Sequence, residues 1–404
     1  MSRRVTGAPS AIERAVAAHR AGRQKEAETA YRRILRQRPR DPDAMHYLGL
    51  LTFQRGDPEN AIRMIRDSLE VAPGNPHAWI NLGNVLMARG TPADAQRAYE
   101  RALELAPDSV EAWYDLGICH RRQKDGARAA VCLIEAVRRK PDFVTGLEAL
   151  ARLYYQVGQI DKAAEAYRKW LEVEPDNPIP RHMTAATSHR DVPRRADDAY
   201  VRRVFDEFAD RFDENLADLG YRAPQLLAEA LQRHADLTGG GLDVLDAGCG
   251  TGLCGPLLKP GAGYLCGVDL SARMLAHAEE RGLYDELHEA ELCSFMRARP
   301  TSFDLVVAAD TLVYFGDLQE AVEAARLSLR PAGLLAFTVE KLDDPSGDER
   351  FRIEPHGRYG HAPRYVAATL NDAGLEVVDI EDVVLRKERG VAVAGLAVVA
   401  RRNG

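Results

Sequence analysis

Asp246-Ala-Gly-Cys-Gly-Thr-Gly252 is the stretch of this 404-residue chain best suited to hold a small charged ligand. Gly248, Gly250 and Gly252 remove three side chains from one loop, so its backbone can approach a bound molecule. An apolar run, Leu242–Ala247, leads into it, which places the loop at the carboxyl edge of a sheet, where open α/β sheets bind. Asp269 closes the next apolar run and can accept both hydroxyls of a ribose. Glu291 closes a third and can accept an adenine amino proton, with Leu292 beside it to pack on the base. Two cofactor classes share this pattern. Gly250-Thr-Gly-Leu-Cys-Gly255 satisfies the G-x-G-x-x-G of dinucleotide folds. The overlapping frame from Val244 sets Asp246 ahead of the glycines, where it would repel a pyrophosphate but suit an ammonium. Cys249 and Cys254 read as small packing residues rather than nucleophiles.

The elements that must position these residues alternate. Strands are expected at Leu242–Ala247, Tyr264–Asp269, Glu286–Leu292, Phe303–Ala309, Leu334–Glu340, Glu376–Leu385 and Val391–Ala400. Helices are expected at Ala272–Arg281, Leu318–Leu329 and Pro363–Ala373. Alternation implies a parallel sheet covered on both faces. The last two strands, joined by Lys387-Glu-Arg-Gly390, leave no room for a crossover and form an antiparallel hairpin. Ahead of the sheet, Val201, Val204, Phe205, Phe208 and Phe212 recur at helical spacing. That stripe reads as a helix packed on the domain or as a lid over its pocket.

The first half of the chain is organised differently. Pro39, Pro73, Pro107, Pro141 and Pro175 stand 34 residues apart, as do Ala27, Ala61, Ala95, Ala129 and Ala163. A period of that length marks a helical repeat. Five units run from 8 to 177, each a helical hairpin, with Gly22, Gly56, Gly90 and Gly158 at turns. Gly83, Gly117 and Ala95 let the paired helices approach, and Trp79 and Trp113 fill space between them. The periodicity stops after Pro175, so 178–197 reads as a proline-rich linker and 198–404 as the cofactor domain.

Trp79-x-x-Leu82-Gly83, Ala95, Tyr99 and Pro107, repeated at Trp113, Leu116, Gly117, Ala129 and Pro141, resemble the tetratricopeptide repeat family. The first and fifth units are weaker, with Ala11 and Leu147 in place of Trp. The resemblance implies an array that holds a protein or peptide in a groove, Asn81 and Asn84 gripping its backbone; a scaffold or oligomerisation element is the other reading. Residues 198–404 resemble the class I S-adenosylmethionine-dependent methyltransferases, through the Asp246 frame, Asp269-Leu-Ser-Ala-Arg-Met-Leu275, Phe303-Asp-Leu-Val306 and Leu329-Arg-Pro-Ala-Gly-Leu334. It implies S-adenosylmethionine as cofactor, with Asp246, Gly248, Cys249, Gly250, Gly252, Asp269, Leu270, Met274, Glu291, Leu292 and Asp310 around it. Repeats joined to Phe205-Asp, Phe212-Asp, Leu219-Gly-Tyr-Arg-Ala-Pro224 and this domain are similar to a bacterial family of repeat-containing methyltransferases. The expected architecture is an all-α repeat solenoid followed by an α/β, Rossmann-like domain of seven strands, the last antiparallel.

Methyl transfer is an in-line displacement that positioning alone accelerates strongly, so no strong base is obligatory. Asp310 and Tyr314, after the fourth strand, should face the methyl group. They do not form the Asn/Asp-Pro-Pro-aromatic signature of enzymes acting on bases or glutamine. Arg350–His361 gathers a second polar set: His356 or His361 as base, Arg352 or Arg358 as anion clamp, and Tyr359. A solvated polar loop is the alternative. The net charge of −7 is divided: residues 1–177 hold 28 Lys and Arg against 24 Asp and Glu, and the remainder 26 against 37. An acidic catalytic half argues against nucleic acid. Six cysteines without a C-x-x-C pair, no apolar run of bilayer length and no signal sequence argue for a cytoplasmic protein with neither disulfides nor metal.

Overall fold

The computed structural model describes residues 10–342, 348–388 and 390–403. The chain divides after Val173 into two compact units. The first consists of antiparallel helix pairs: α1 (Ala11–Arg20) with α2 (Gln24–Gln37), α3 (Pro42–Gln54) with α4 (Pro58–Val71), α5 (Pro76–Arg89) with α6 (Pro92–Leu105), α7 (Val110–Arg122) with α8 (Gly126–Arg139), and α9 (Val144–Gln156) with α10 (Ile160–Val173). Asp41, Asp57, Asn75, Ser109 and Asp125 cap helices by accepting from backbone N–H groups of the first turn. The repeated alanines Ala27, Ala61, Ala95, Ala129 and Ala163 are all fully buried, the period expressed as packing. The fourth turn breaks the glycine pattern. Lys124 stands there at φ +62, the left-handed conformation that Gly90 holds one unit earlier at φ +87. Trp79 and Trp113 are only partly buried; each indole N–H donates to the carbonyl of a periodic proline, Pro73 at 2.9 Å and Pro107 at 2.8 Å.

The segment expected as a linker belongs to the second unit. Its first part is α11 (Pro178–Ser188), which buries Ile179, His182, Met183 and Ala186. Proline at a helix start is tolerated because the first turn needs no N–H from it, so the proline cluster that reads as a linker instead begins a helix. The other helices are α12 (Asp198–Phe208), α13 (Phe212–Asp218), α14 (Ala223–Leu231), α15 (Gly255–Leu258), α16 (Ala272–Glu280), α17 (Leu292–Arg297), α18 (Gln319–Ser328) and α19 (Pro363–Asp372).

Among the described residues the sheet has nine strands: β1 (Leu242–Ala247), β2 (Ala262–Asp269), β3 (Glu286–Glu289), β4 (Phe303–Ala308), β5 (Leu329–Lys341), β6 (Phe351–Ile353), β7 (Tyr359–His361), β8 (Leu375–Glu388) and β9 (Val391–Arg402). Strands β3, β2, β1, β4 and β5 pair in parallel, and β9 then runs antiparallel between β5 and β8. All seven expected strands are present. The addition is the hairpin β6–β7, cut from what reads as one polar loop. Glu340 pairs with Gly395 on one side and Gly360 on the other, so β7 takes the side of β5 that β4 vacates at Ala308. One face of the sheet is covered by α17, α18 and α19, the other by α14 and α15.

Candidate active site

The carboxyl ends of β1, β2 and β4 open into a cavity of about 620 Å³, within the range of small-molecule sites. The glycine loop forms one wall. Gly248 has φ +77, and a Cβ there would lie 2.4 Å from Thr311, so only glycine fits. Gly250, at φ +54, faces the opening, with Phe212 the nearest atom at 4.0 Å from an added Cβ. Asp269 lies on the wall and accepts from the N–H groups of Gly250 and Ser271, each at 2.9 Å. Burial raises its pKa, and the N–H groups of Ser271, Gly250 and Leu270 pull it back. Cys249, Leu270 and Leu292 also line the cavity, whereas Met274 is buried away from it.

Two of the expected acids are placed otherwise. Asp246 is 1% exposed and lies off the cavity wall; Tyr284 donates its hydroxyl to it at 2.6 Å, and its Oδ1 has no partner among the described residues. Burial pushes its carboxyl up to about 7. Facing an ammonium is therefore not what this carboxylate does here. Glu291 does not end a strand, because β3 stops at Glu289; it caps α17. It accepts from Cys293 and Ser294 N–H at 3.0 and 2.7 Å and from Arg195 at 2.8 Å. Burial works to raise its carboxyl, but these donors outweigh it and hold it at about 2. It lies on the wall with its oxygens already engaged, so an adenine amino group would have to share them.

The aromatic stripe is the roof. Val201, Val204, Phe205 and Phe208 of α12 and Phe212 of α13 line the cavity, while Tyr200 is the one buried residue of α12. The roof is latched by polar bonds: Ser271 to Asp206 at 2.5 Å, Thr251 to Asp213 at 2.6 Å, and Arg273 to Asp210 at 2.7 Å. The lid reading of the stripe therefore describes its position.

The opposite wall is charged. Asp310, at φ +55, donates its backbone N–H to Thr338 at 2.8 Å and faces Arg386 Nη1 at 3.2 Å. Arg386 is 1% exposed and also donates to Glu388 at 2.8 Å and to Glu340. Arg358 lines the cavity and bridges Glu340 and Glu388 at 3.1 and 2.8 Å. Burial pushes Asp310 up to about 7; Arg358 opposes the shift, and Glu340 and Glu388 add to it. Tyr314 is on the wall, edge-on to Phe205 at 5.6 Å, with its phenol raised by burial.

The rest of the expected polar loop does not reach the cavity. His356 accepts from the Arg358 N–H through Nδ1 at 3.2 Å, so its Nε2 carries the proton toward Glu340 at 3.1 Å. Neither nitrogen is left to act as a base. His361 is fully buried in β7, donates to Phe315 O at 2.8 Å, and is held down to about 4 by burial. Tyr359 spends its hydroxyl on Pro193 O at 2.8 Å, and Arg352 is paired with Glu349. β-pairing explains these corrections: alternate residues of a short hairpin turn into the core, and only the Arg358 turn faces the site.

In the repeat unit, Asn81 bonds His46 at 2.9 Å and Asn84 accepts from Tyr99 at 2.6 Å. Both amides are engaged in the array's own network, which corrects their reading as free peptide grips. Cys266, Glu286 and His288 bring ligand atoms within 4.8 Å of one another on the β2–β3 edge, a grouping the sequence did not suggest. His288 Nε2 is already bonded to Glu286 at 2.8 Å and faced by Arg299 at 3.4 Å.

Sequence comparison agrees with both halves. The family model described as a methyltransferase domain matches residues 245–335. Tetratricopeptide repeat models match 12–76, 47–94, 80–142 and 144–187, the last taking in α11. A malonyl-[acyl-carrier protein] O-methyltransferase of Enterobacter lignolyticus is 36% identical over 133 residues, 33% of this chain and 52% of that one. Methyltransferase-like protein 27 of Homo sapiens is 39% identical over 137 residues, 33% and 56% respectively. A ubiquinone biosynthesis O-methyltransferase of Paraburkholderia phymatum is 28% identical over 168 residues, 38% and 72%. The chain thus spans little more than half of the first two. It carries a methyltransferase domain of the class I fold. Ahead of that domain stand tetratricopeptide repeats. Among the described residues no helix is long and apolar enough to cross a membrane.

Proposed function

We propose that the chain is an S-adenosylmethionine-dependent methyltransferase of the cytoplasm whose repeat array recruits a protein, or a substrate carried by one. The supporting observation is a glycine-rich loop and Asp269 side by side on the wall of one cavity, joined by the Gly250 N–H bond. The residues present fit the cofactor: Gly250 leaves open space where a Cβ would stand, and Asp269 offers a carboxylate to ribose hydroxyls. Leu270 and Leu292 supply apolar surface for a base. S-adenosylmethionine supplies a methyl group activated on a sulfonium. The chain's own part is to orient the reactants and exclude water, the first by the glycine loop and the second by the roof of Val204, Phe205 and Phe212. Asp310 and Tyr314 stand where an acceptor would approach. The carrier reading is favoured by one relative whose name places its substrate on an acyl-carrier protein.

The test is transfer of labelled methyl groups from S-adenosylmethionine in a cell extract, comparing the full chain with Asp269→Ala. Label entering the protein fraction only with the unaltered chain supports the reading. Label confined to small molecules favours a small-molecule enzyme with a merely oligomerising array. No transfer by either protein points to an adaptor that keeps the fold without the reaction.

A further inference from the structure

Asp310 sits in a charge cluster that does not balance. Around it stand Arg386 and Glu388 from β8, Glu340 from β5, Arg358 and His356 from the β6–β7 turn, and the phenols Tyr221 and Tyr314. His356 accepts the Arg358 N–H through Nδ1 and turns its other nitrogen to Glu340, and the phenols are neutral. Two guanidinium groups face two glutamates, and the glutamates take the better bonds: Glu388 binds Arg386 at 2.8 Å, whereas Asp310 is reached at 3.2 and 3.5 Å. Among the described residues Asp310 is thus the third carboxylate for two cations. It is also the acid of the cluster that opens on the cavity: its side chain is 16% exposed against 5% for Glu340, and Glu388 does not line the wall. A non-glycine residue at φ +55 carries backbone strain, which the N–H bond to Thr338 helps to hold.

We propose that Asp310 is the counter-charge for a cation in this cavity, the sulfonium of S-adenosylmethionine, and that the cluster is built one positive charge short so that the cation completes it. The inference rests on the cofactor reading above. Its consequence is a proton. Without a cation the site is neutral only when Asp310 is protonated, and burial keeps the proton on at pH values below about 7. When the sulfonium binds, Asp310 ionises, its proton passes to solvent, and the site again sums to zero. S-adenosylhomocysteine, a neutral thioether, leaves the proton in place. The site therefore distinguishes donor from spent product by charge, and the distinction strengthens as pH rises because ionising Asp310 costs less.

Calorimetric titration of the full chain at pH 6.5, repeated in buffers of different ionisation enthalpy, reads this directly. S-adenosylmethionine should release roughly half a proton or more beyond S-adenosylhomocysteine, since a group with a pKa near 7 is mostly protonated there. In Asp310→Asn the difference should vanish, and the affinity ratio of the two ligands should move about tenfold toward the product. The wild-type comparison needs no variant and stands if Asp310→Asn does not fold. Equal proton release while both ligands bind overturns this inference and leaves the cofactor reading intact. Failure of both ligands to bind overturns the cofactor reading and this inference with it.

Discussion

Replacing Asp246 by Asn should raise the stability of the protein at alkaline pH relative to acid pH. The carboxyl is buried, has one oxygen bonded to Tyr284 and the other without a partner among the described residues, and is pushed by burial from its ordinary 3.8 up to about 7. An acid with a raised folded pKa holds its proton more tightly when folded. Stability is then greatest below about 4, and falls as pH climbs toward 7. A rise of about three units corresponds to about 4 kcal/mol lost by pH 8, and to under 2 kcal/mol lost by pH 5. Asn keeps an acceptor for the Tyr284 hydroxyl and removes the charge, but introduces an amide N–H whose burial costs roughly 1–3 kcal/mol at every pH. The difference between the two pH values is free of that constant. It comes to roughly 2–3 kcal/mol, or about 5–10 °C in the melting temperature of a unit this size. Differential scanning calorimetry of full chain and variant at pH 5 and 8 measures it. A variant whose melting point differs from the parent by the same amount at both values would refute the argument, because Asp246 would then be ionised throughout or relaxed into contact with water.

Three further outcomes follow from local geometry. Gly83→Ala should destabilise the array, because the new Cβ meets the buried Tyr99 ring at 2.4–2.7 Å; overpacking at roughly 1–3 kcal/mol exceeds the helix-propensity gain of about 1 kcal/mol. The equivalent Gly117→Ala meets Leu133 at 2.9 and 3.0 Å, where a leucine can rotate, and the Ala129 carbonyl at 3.4 Å, an ordinary contact. It should unfold at a higher temperature than Gly83→Ala, and the reverse order would sink the argument. His361 is buried neutral with its pKa held to about 4, so its contribution is lost as pH falls from 6.5 through 4. His361→Gln should remove about 2 kcal/mol of that acid sensitivity at pH 5, read by denaturant melts, while leaving cofactor affinity alone. A large loss of affinity would return His361 to the site.

The parts of the molecule legible in the sequence are those written in short-range spacing. A 34-residue period needs only neighbouring turns to express it, and α1 to α10 follow it closely. The glycine loop and Asp269 are legible for the same reason, since each belongs to one strand end and the turn after it. What was missed depends on distant pairing. Arg386 meets Asp310 across 76 residues, and Arg195 meets Glu291 across 96. Neither arginine stands out in its own stretch of sequence. His361 reads as a base and Tyr359 as a substrate contact because a run of polar residues reads as a loop; the β6–β7 hairpin turns both inward. The one hint of Arg386 in the sequence is its place directly after the apolar Val383-Val-Leu385 of β8, where a cation that turns inward demands a buried acid. Proline misled at α11, where Pro178 and Pro180 start a helix rather than forbid one.

The proposed function rests on the glycine loop and Asp269 holding S-adenosylmethionine. Calorimetric titration of S-adenosylhomocysteine into the full chain, with Asp269→Ala checked for an unchanged melting point, tests it most directly. The unaltered chain should bind saturably and one-to-one, and the variant should lose about a hundredfold or more in affinity, since two ribose hydrogen bonds to a charged group are removed together. A folded chain that does not bind, or a variant that binds as tightly as its parent, would contradict it.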